Sequence, residues 1–289
     1  PSRSHPRRAA VNSLGVGGTN AHVVLQEAPP PPSTTPAKLS HQLLVVSGRT
    51  RKAVDANAKR LADHLEAHPE LDLADVAWTL FVGRRAFEQR RVVAVRDREE
   101  AIRLLRENDR QRVFTHAKIS DGPRCTFLMP GGGAQYAGMG QDLYAEEPVY
   151  KMHVDQGLEV LKKKTGLDLG PLLFPEPGDV ETANAELNRT SRQLPAIFIT
   201  SYAMAQLLMS LDIEPNAFIG HSLGENTAAC LAGVISFEDA IGLVALRGEL
   251  TERIEGGAIT SVQTTPEKLA PYLEELGLDL AGVNTPELC

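Results

Sequence analysis

The sequence contains few cysteines and no long run of apolar residues. Its three cysteines, Cys125, Cys230 and Cys289, have neither an even count nor the spacing of metal ligands, which favours reduced thiols over a disulfide framework. No stretch approaches the roughly 18 consecutive apolar residues that cross a bilayer, and no basic start followed by an apolar core opens the chain. We therefore expect a cytoplasmic protein that holds no metal and does not enter the membrane.

Positive charge is also scarce. The formal net charge at pH 7 is -7, and the one basic cluster, Arg3, Arg7 and Arg8, is short and terminal. A nucleic-acid-binding protein needs a basic surface to neutralise phosphates, so nucleic acid is not expected as a partner. With 42% hydrophobic and 23% charged residues, the composition is that of an ordinary globular protein with one large or two smaller domains.

The N-terminal part of the chain combines short predicted strands and helices. Val11–Gln26 holds two apolar segments around glycines, of which Ala21–Leu25 is predicted as a strand without a sheet. Pro29–Pro36 is rich in Pro, Ser and Thr and marks a boundary. The elements predicted beyond it are the strand Leu43–Val46, helices beginning at Thr50 and Leu73, the strand Arg91–Val95 and a helix after Asp97. This α+β unit has no convergent polar cluster, so we assign it a structural role.

Past Asp121, strands alternate with helices, which predicts a parallel sheet with both faces covered. The predicted elements are the strands Cys125–Met129 and Ala217–Gly220 and the helices Ser191–Met209 and Ser236–Ile254. A β-α-β unit is then predicted over Ala258–Val262, Pro266–Glu275 and Leu280–Val283. Because the chain begins without Met and ends while this pattern is developing, we expect a fragment.

The sharpest motif is Gly220-His221-Ser222-Leu223-Gly224, a G-x-S-x-G between an apolar strand and a helix of small residues. The serine of such a motif sits on a tight strand-to-helix turn. There the glycines permit close backbone approach, and the helix N-terminus favours developing negative charge. Ser222 is therefore a candidate nucleophile. The alternative is a glycine-rich turn in which the serine only caps the helix.

A serine nucleophile needs a general base, which in this arrangement ordinarily comes later in the chain. None of the histidines lies beyond Ser222; they are His5, His22, His41, His64, His68, His116, His153 and His221. His221 is a poor candidate because the side chains of adjacent residues point apart. Either the catalytic histidine lies beyond Cys289, or the serine is not activated.

A second motif is Met129-Pro130-Gly131-Gly132-Gly133-Ala134-Gln135, a glycine-rich turn directly after a predicted strand. Freed N–H groups in such a turn suit a phosphate cradle or an oxyanion hole. No Lys-Ser/Thr pair follows, and the glycines do not match G-x-G-x-x-G, which argues against a phosphate loop. With a serine downstream, the N–H groups of Gly132 and Leu223 are the candidate oxyanion donors, and a plain turn is the alternative.

Arg247 is the third candidate, and helical geometry predicts its environment. Arg247 falls inside a broad apolar arc on its helix. The arc consists of Phe237, Ala240, Ile241, Leu243, Val244, Leu250 and Ile254. A guanidinium that faces the core must have an anionic partner. That partner is either a structural carboxylate or a substrate carboxylate held bidentately, and helical geometry does not decide between them.

Together, these elements resemble the acyltransferase of polyketide and fatty acid synthases. The shared elements are a P-G-x-G-x-Q segment from Pro130, G-H-S-x-G from Gly220, and an arginine 25 residues after the serine. The flanks extend the resemblance. Asn12–Leu25 resembles the last strand of a ketosynthase, and residues 38–120 are similar to the unit that joins ketosynthase to acyltransferase. The chain thus looks like a piece of a type I modular polyketide synthase.

The resemblance implies an α/β fold. It implies an α/β-hydrolase-like acyltransferase body with a truncated ferredoxin-like subdomain, preceded by a small α+β linker domain. The implied boundaries are 1–28 for a ketosynthase end, 29–37 for a Pro-rich linker, 38–120 for the linker domain, 121–255 for the body and 256–289 for the start of the ferredoxin-like subdomain.

The resemblance also implies a reaction, in which a serine accepts an acyl group from coenzyme A and passes it to the phosphopantetheine thiol of an acyl carrier protein. Ser222 is then the acyl-enzyme residue, and Leu223 and Gly132 supply oxyanion N–H groups. Arg247 binds the free carboxylate of a malonyl-type group. The further pocket residues that it implies are Gln193 and His221. The implied partners are malonyl-CoA, an acyl carrier protein and the ketosynthase of the same polypeptide, with no bound cofactor.

Two departures from the family pattern bear on this assignment. Gly132 stands where the family most often has Gln, which keeps the backbone donor and loses a side chain. The family's catalytic histidine lies in a part that this sequence does not reach. Two alternatives therefore remain. One is a serine hydrolase or thioesterase with the same turn, for which Arg247 would have no purpose on a neutral ester, and the other is a non-catalytic scaffold fragment.

Overall fold

A computed structural model of the chain describes residues 5–29, 37, 39–107, 109–118, 124–254 and 257–289. The chain divides into two units, Pro1–Asp121 and Gly122–Cys289. Both units mix helices and strands, as the sequence predicted. The boundary predicted over Pro29–Pro36 lies, apart from its first residue, outside the described residues.

The first unit opens with a two-stranded antiparallel hairpin, β1 (Arg8–Leu14) and β2 (Asn20–Gln26). Ala21–Leu25 therefore forms a strand, as predicted. The prediction that this strand has no sheet is wrong, because it pairs with the apolar segment before it. Gly18, at φ 90°, lies in the turn between the strands, where glycine is favoured because it has no Cβ. Every residue of both strands is exposed.

A three-stranded antiparallel sheet with helices forms the rest of the first unit. Its elements are β3 (Gln42–Gly48), α1 (Arg51–Ala67), α2 (Leu73–Val82), β4 (Gln89–Val95), α3 (Arg98–Arg106) and β5 (Val113–Ala117), and the strand order is β3-β4-β5. The buried residues of α1 recur at helical spacing and are Val54, Ala58, Ala62 and Leu65. Leu44 of β3 and Leu104 of α3 are fully buried in one core with Ala58, Ala62 and Leu65. The strands and helices predicted for this part of the chain are confirmed. An additional strand, β5, was not predicted from the sequence.

The second unit packs helices against a two-stranded parallel sheet. Its elements are β6 (Thr126–Met129), α4 (Gln141–Glu146), α5 (Pro148–Thr165), α6 (Gly170–Leu173), α7 (Val180–Leu187), α8 (Thr190–Ser210), β7 (Ala217–Gly220), α9 (Leu223–Leu231), α10 (Phe237–Glu252) and α11 (Pro266–Leu276). The parallel pairing is confirmed, with Met129 opposite Gly220. Phe127 is buried whereas Leu128 and Ile219 are exposed. Since alternate side chains face opposite sides of a sheet, one face of the described strands is not covered, contrary to prediction.

The central helix of the second unit is α8, against which α5 and α10 pack closely. Glycines allow this approach: a Cβ on Gly157 of α5 would lie 2.8 Å from Ile199 Cγ2, and one on Gly248 of α10 would lie 2.5 Å from Thr190 O. This packing fixes α10 beside the start of α8. In the described parts of the chain, no helix, α8 included, has the length and apolarity of a membrane span.

The β-α-β unit predicted after α10 forms only its helix, α11. Residues 258–262 and 280–283 make no strand. A strand requires a neighbouring strand to which it is hydrogen-bonded. Within the described residues, the only such pairing of these two segments is between Val262 and Cys289, which exchange backbone hydrogen bonds at 2.8 and 3.0 Å. The prediction of two strands here is therefore wrong.

Candidate active site

Ser222 lies on the tight turn between β7 and α9, where the G-x-S-x-G motif predicted it. Its backbone has φ 52° and ψ -109°, and Asp212 is the only other described non-glycine residue with a positive φ. Such backbone conformations cost about 1–3 kcal/mol and persist only where the surroundings enforce them. Ser222 occupies the N-cap of α9 without making a side-chain capping hydrogen bond, which rules out a serine that merely caps the helix.

Two glycines of the motif let β6, β7 and α9 meet at this turn. A Cβ on Gly220 would lie 2.2 Å from Glu225 N, and one on Gly224 would lie 2.1 Å from Met129 O. Real Cβ atoms essentially never come within 3.0 Å of another heavy atom in this way, so no side chain fits at either position. His221 N donates to Met129 O at 3.1 Å, which ties the turn to the end of β6.

The first residue of α9, Leu223, places its side chain in the core and its backbone at the turn. The side chain is fully buried. The next two N–H groups, those of Gly224 and Glu225, donate to His221 O and Ser222 O at 2.9 and 3.1 Å. The Leu223 N–H donates to no described residue and lies at a helix N-terminus, where partial positive charge gathers. This N–H is therefore placed to donate a hydrogen bond to an anionic oxygen beside the serine.

The glycine-rich loop after β6 lies directly against the turn. A Cβ on Gly131 would lie 2.7 Å from His221 O and 3.4 Å from Ser222 Cβ. A Cβ on Gly132 would lie 2.8 Å from Oε1 of Gln193, a residue in the first turn of α8. The structure thus brings three of the predicted site residues, Gly132, Gln193 and Ser222, together from separate elements.

Arg247 of α10 is exposed, so the prediction that it faces the core is wrong. The buried face of α10 consists of Ala240, Ile241, Val244, Ala245 and Gly248. Three residues that broadened the predicted apolar arc are exposed, namely Leu243, Leu250 and Ile254. The true apolar face is narrower than the predicted one, and Arg247 lies at its edge, with its guanidinium reaching the turn of Ser222.

The guanidinium of Arg247 has two neutral partners. Its Nη1 donates to Asn226 Oδ1 and its Nη2 donates to Ser222 Oγ, each at 3.1 Å. Within the described part of the chain, no carboxylate forms an ion pair with it. The structural carboxylate that was one of the two predicted partners is therefore not found there, and a positive charge lies uncompensated beside the serine.

Two asparagines of the site were not predicted from the sequence. Asn226, half-buried, follows Ser222 by one helical turn and contacts Arg247. Asn284 Oδ1 lies 3.2 Å from Nε2 of His221, 63 residues away along the chain. Residues four apart share a helix face, so a polar Asn226 among small residues was a usable signal. Asn284 gave none, because its contact depends on the tertiary fold.

Ser222 has no general base among the described residues. Its Oγ accepts a hydrogen bond from Arg247, and a guanidinium does not take up a proton. The histidines of the second unit are His153 and His221. Nε2 of the His221 ring lies 3.2 Å from Asn284 Oδ1, and no described hydrogen bond joins the ring to Ser222. The His153 ring packs edge-on against Tyr202, and burial lowers its pKa.

Comparison with protein families gives two matches. Residues 126–287 match the family described as "Acyl transferase domain". Residues 42–105 match the family described as "CurL-like, PKS C-terminal". The first match contains the glycine-rich loop, the turn of Ser222 and Arg247, and the second lies within the first unit.

Curated relatives extend the likeness over nearly the whole chain. A phenolphthiocerol/phthiocerol polyketide synthase of Mycobacterium tuberculosis is 37% identical over 298 residues, which cover 98% of this chain and 20% of that protein. "Erythronolide synthase EryA3" of Saccharopolyspora erythraea is 37% identical over 294 residues, which cover 99% of this chain and 9% of that protein. The chain therefore spans a fifth or less of the length of these two relatives.

The chain is also similar in three dimensions to solved acyltransferase domains. The acyl transferase domain of SpnD, solved in complex with 2-(pent-4-yn-1-yl)malonyl, is 40% identical with a TM-score of 0.73, over 87% of this chain and 58% of that one. The acyltransferase domain from module 8 of the salinomycin polyketide synthase is 29% identical with a TM-score of 0.75, over 88% of this chain and 61% of that one. For both domains, the sequence identity and the structural similarity therefore point to the same family.

Proposed function

Because this chain belongs to the acyl transferase domain family of the modular polyketide synthases, we propose that Ser222 carries an acyl group from coenzyme A to an acyl carrier protein. The serine forms an ester with the acyl group and passes it to the phosphopantetheine thiol of the carrier protein. One observation carries this proposal: the strained backbone of Ser222 holds its Oγ on a strand-to-helix turn, with Arg247 Nη2 at 3.1 Å.

The geometry supports a transfer in two steps. First, Ser222 Oγ attacks the thioester carbonyl, its proton passes to a base, and the coenzyme A thiolate leaves. Second, the deprotonated thiol of the carrier arm attacks the seryl ester, and Oγ recovers a proton as it leaves. In each step the carbonyl oxygen becomes negative, and the N–H groups of Leu223 and Gly132 are the donors proposed to stabilise it. The base is a group outside the described residues.

Arg247 is proposed to bind the free carboxylate of a malonyl-type acyl group. In the described chain it has only neutral partners, so a substrate carboxylate supplies the opposite charge. The SpnD domain, 40% identical, was solved in complex with a malonyl derivative, which supports a dicarboxylic substrate by similarity. A hydrolase or thioesterase acting on neutral esters would leave this charge unused. Gln193, beside Gly132, and His221 are proposed to line the same pocket.

The remaining parts of the chain are assigned by resemblance. Residues 1–28 are proposed as the C-terminal end of a ketosynthase, and 38–120, which include the matched residues 42–105, as the domain that joins it to the acyltransferase. Residues 121–255 form the proposed acyltransferase body, and 256–289 belong to a smaller subdomain. The ketosynthase of the same polypeptide and an acyl carrier protein are then the proposed partners.

Intact-protein mass spectrometry after incubation with malonyl-CoA tests the role of Ser222. The incubation is run with and without imidazole as an external base, because the described residues supply none. A malonyl adduct on the wild type that is absent from Ser222→Ala would support the proposal. Equal adduct formation on both proteins, or none under either condition, would count against it.

A further inference from the structure

Asn226 is a polar residue of α9 that contacts the proposed carboxylate-binding arginine. Its side chain is half-buried, and the residues that follow it, Thr227, Ala228 and Ala229, are small. Its amide oxygen accepts a hydrogen bond from Nη1 of Arg247, while Nη2 of the same guanidinium reaches Ser222 Oγ. The N-terminal end of α9 thus brings together the proposed nucleophile, at the N-cap, and a group that holds the arginine.

The two contacts hold the guanidinium at two points. An arginine side chain has many rotamers, and contacts to both terminal nitrogens of its planar head select one orientation. The contact with Ser222 is given up when Oγ attacks a carbonyl and becomes an ester oxygen. The contact with Asn226 involves no reacting atom, so it can hold Arg247 in place throughout the transfer.

We propose that Asn226 is a positioning residue, which keeps Nη2 of Arg247 aimed at the acyl group on Ser222 and thereby sets the preference for carboxylated over neutral acyl groups. This inference rests on the proposed function of Ser222 and Arg247. It adds a residue that acts on the substrate only through the arginine.

The role requires an acceptor without charge. An amide oxygen orients the guanidinium and leaves its positive charge for the substrate. A carboxylate at the same place would form an ion pair with Arg247 and compete with the substrate carboxylate. An apolar side chain of similar size would leave Nη1 without its acceptor and release the arginine towards solvent, since α10 exposes it.

Two substitutions of Asn226 test these effects. Asn226→Leu removes the acceptor, and Asn226→Asp keeps the size and adds the charge. Dissociation constants of malonyl-CoA and acetyl-CoA are measured by isothermal titration calorimetry on the full 289-residue chain, so that no chemical step is needed. We expect malonyl-CoA binding to weaken about fivefold in the Leu variant and about tenfold or more in the Asp variant, with acetyl-CoA binding changed by less than about twofold.

The order of the two variants separates positioning from a merely structural role. If Asn226 only filled space, the isosteric Asp variant would be the milder one. That order, or a parallel loss of acetyl-CoA binding, overturns the inference, and the Asp variant decides alone if the Leu variant does not fold. Gln156→Glu adds the same charge on the exposed surface of α5 and should leave both constants unchanged. A wild-type chain that binds malonyl-CoA no better than acetyl-CoA contradicts the proposed function itself, and the inference falls with it.

Discussion

Arg247 Nη2 donates a hydrogen bond to Ser222 Oγ over 3.1 Å, although 25 residues separate the two along the chain. The packing of α10 on α8 and α9 brings them together. The guanidinium of Arg247, which has no ion-pair partner among the described residues, therefore lies beside Ser222. The backbone of Ser222 is strained, and the residue lies at the N-terminus of α9. This combination suits a site that holds a carboxylated acyl group on the serine.

Arg247→Ala is expected to weaken malonyl-CoA binding about tenfold to a hundredfold, because it removes a charged hydrogen-bond donor from the site. Acetyl-CoA has no free carboxylate on its acyl group, so its binding should hardly change. Calorimetric titration with each thioester measures the difference. Arg247→Lys, which keeps the charge and loses the planar fork, should fall between the two proteins. Unchanged malonyl-CoA binding in the Ala variant would show that the arginine does not hold the carboxylate.

Gly132→Ala is expected to slow malonyl adduct formation on Ser222 several-fold while costing less than about 1 kcal/mol of stability. The new Cβ would lie 2.8 Å from Gln193 Oε1, the end of a flexible side chain that can swing aside but then no longer lines the loop as it does now. Rates come from timed intact-mass measurements, and stability comes from urea unfolding.

Two further variants make the Gly132 test specific. Gln193→Ala in the Gly132→Ala background removes the clash, so the Cβ should then have no further steric effect. Gly178→Ala is the matched control, because a Cβ there meets nothing within 4 Å. An adduct rate in Gly132→Ala equal to that of Gly178→Ala would mean that the loop and Gln193 do not shape the site.

Thr227→Val is expected to stabilise the chain by about 1 kcal/mol, because the fully buried Thr227 Oγ1 has no hydrogen-bond partner among the described residues. Thr200→Val is the matched comparison and should have the opposite sign, since the buried Thr200 Oγ1 donates to Ala196 O at 2.8 Å. Free energies of unfolding in urea give both values. If both variants lose stability equally, Thr227 Oγ1 is hydrogen-bonded in solution and the expectation is wrong.

Local sequence patterns predicted much of the site. The position of Ser222 on a tight turn could be predicted from G-x-S-x-G between a strand and a helix, because residues close in sequence determine how crowded the backbone is at such a turn. The placement of Gly132 beside it follows from the parallel order of two strands. The roles proposed for Gly132, Leu223, Gln193 and His221 in binding or catalysis stay predictions, since geometry alone does not test them.

The remaining features depend on tertiary contacts that a periodic pattern does not contain. Arg247 was placed in the core because Leu243 and Leu250 widened the apolar arc, yet both are exposed, so hydrophobicity alone overestimated the buried face. Asn284 was missed because its partner His221 is distant in sequence. Strand pairing also depends on tertiary contacts, which explains the two wrong strand predictions. Ala21–Leu25 pairs with the preceding segment, whereas the segments on either side of α11 do not form strands.

The ion pair between Arg189 and Glu252, at 2.6 Å, should make a small, pH-dependent contribution to the packing of α8 on α10. A hydrogen bond from Ser191, together with Arg189, holds the pKa of the Glu252 carboxyl below its ordinary value. A group with a lowered folded-state pKa stabilises the fold above its unfolded pKa of about 4.3 and loses that contribution as the pH falls through the folded pKa.

Glu252→Gln should therefore lower the free energy of unfolding by about 0.5 kcal/mol at pH 7, the size expected of an ion pair whose two side chains stay partly accessible to solvent. The difference from the wild type should shrink as the pH is lowered below about 4. Urea titrations of both proteins at several pH values check this dependence. A difference that stays constant from neutral to acidic pH would assign the effect to side-chain packing instead of charge.

The central claim is that Ser222 and Arg247 together select and carry a carboxylated acyl group. The most direct measurement is a competition in which the wild-type chain meets equal concentrations of malonyl-CoA and acetyl-CoA in the presence of imidazole, and the two adducts are resolved by intact mass. The malonyl adduct should predominate on the wild type, this excess should disappear in Arg247→Ala, and Ser222→Ala should carry neither adduct. Equal malonyl and acetyl adducts on the wild type, or an excess of acetyl, would contradict the central claim.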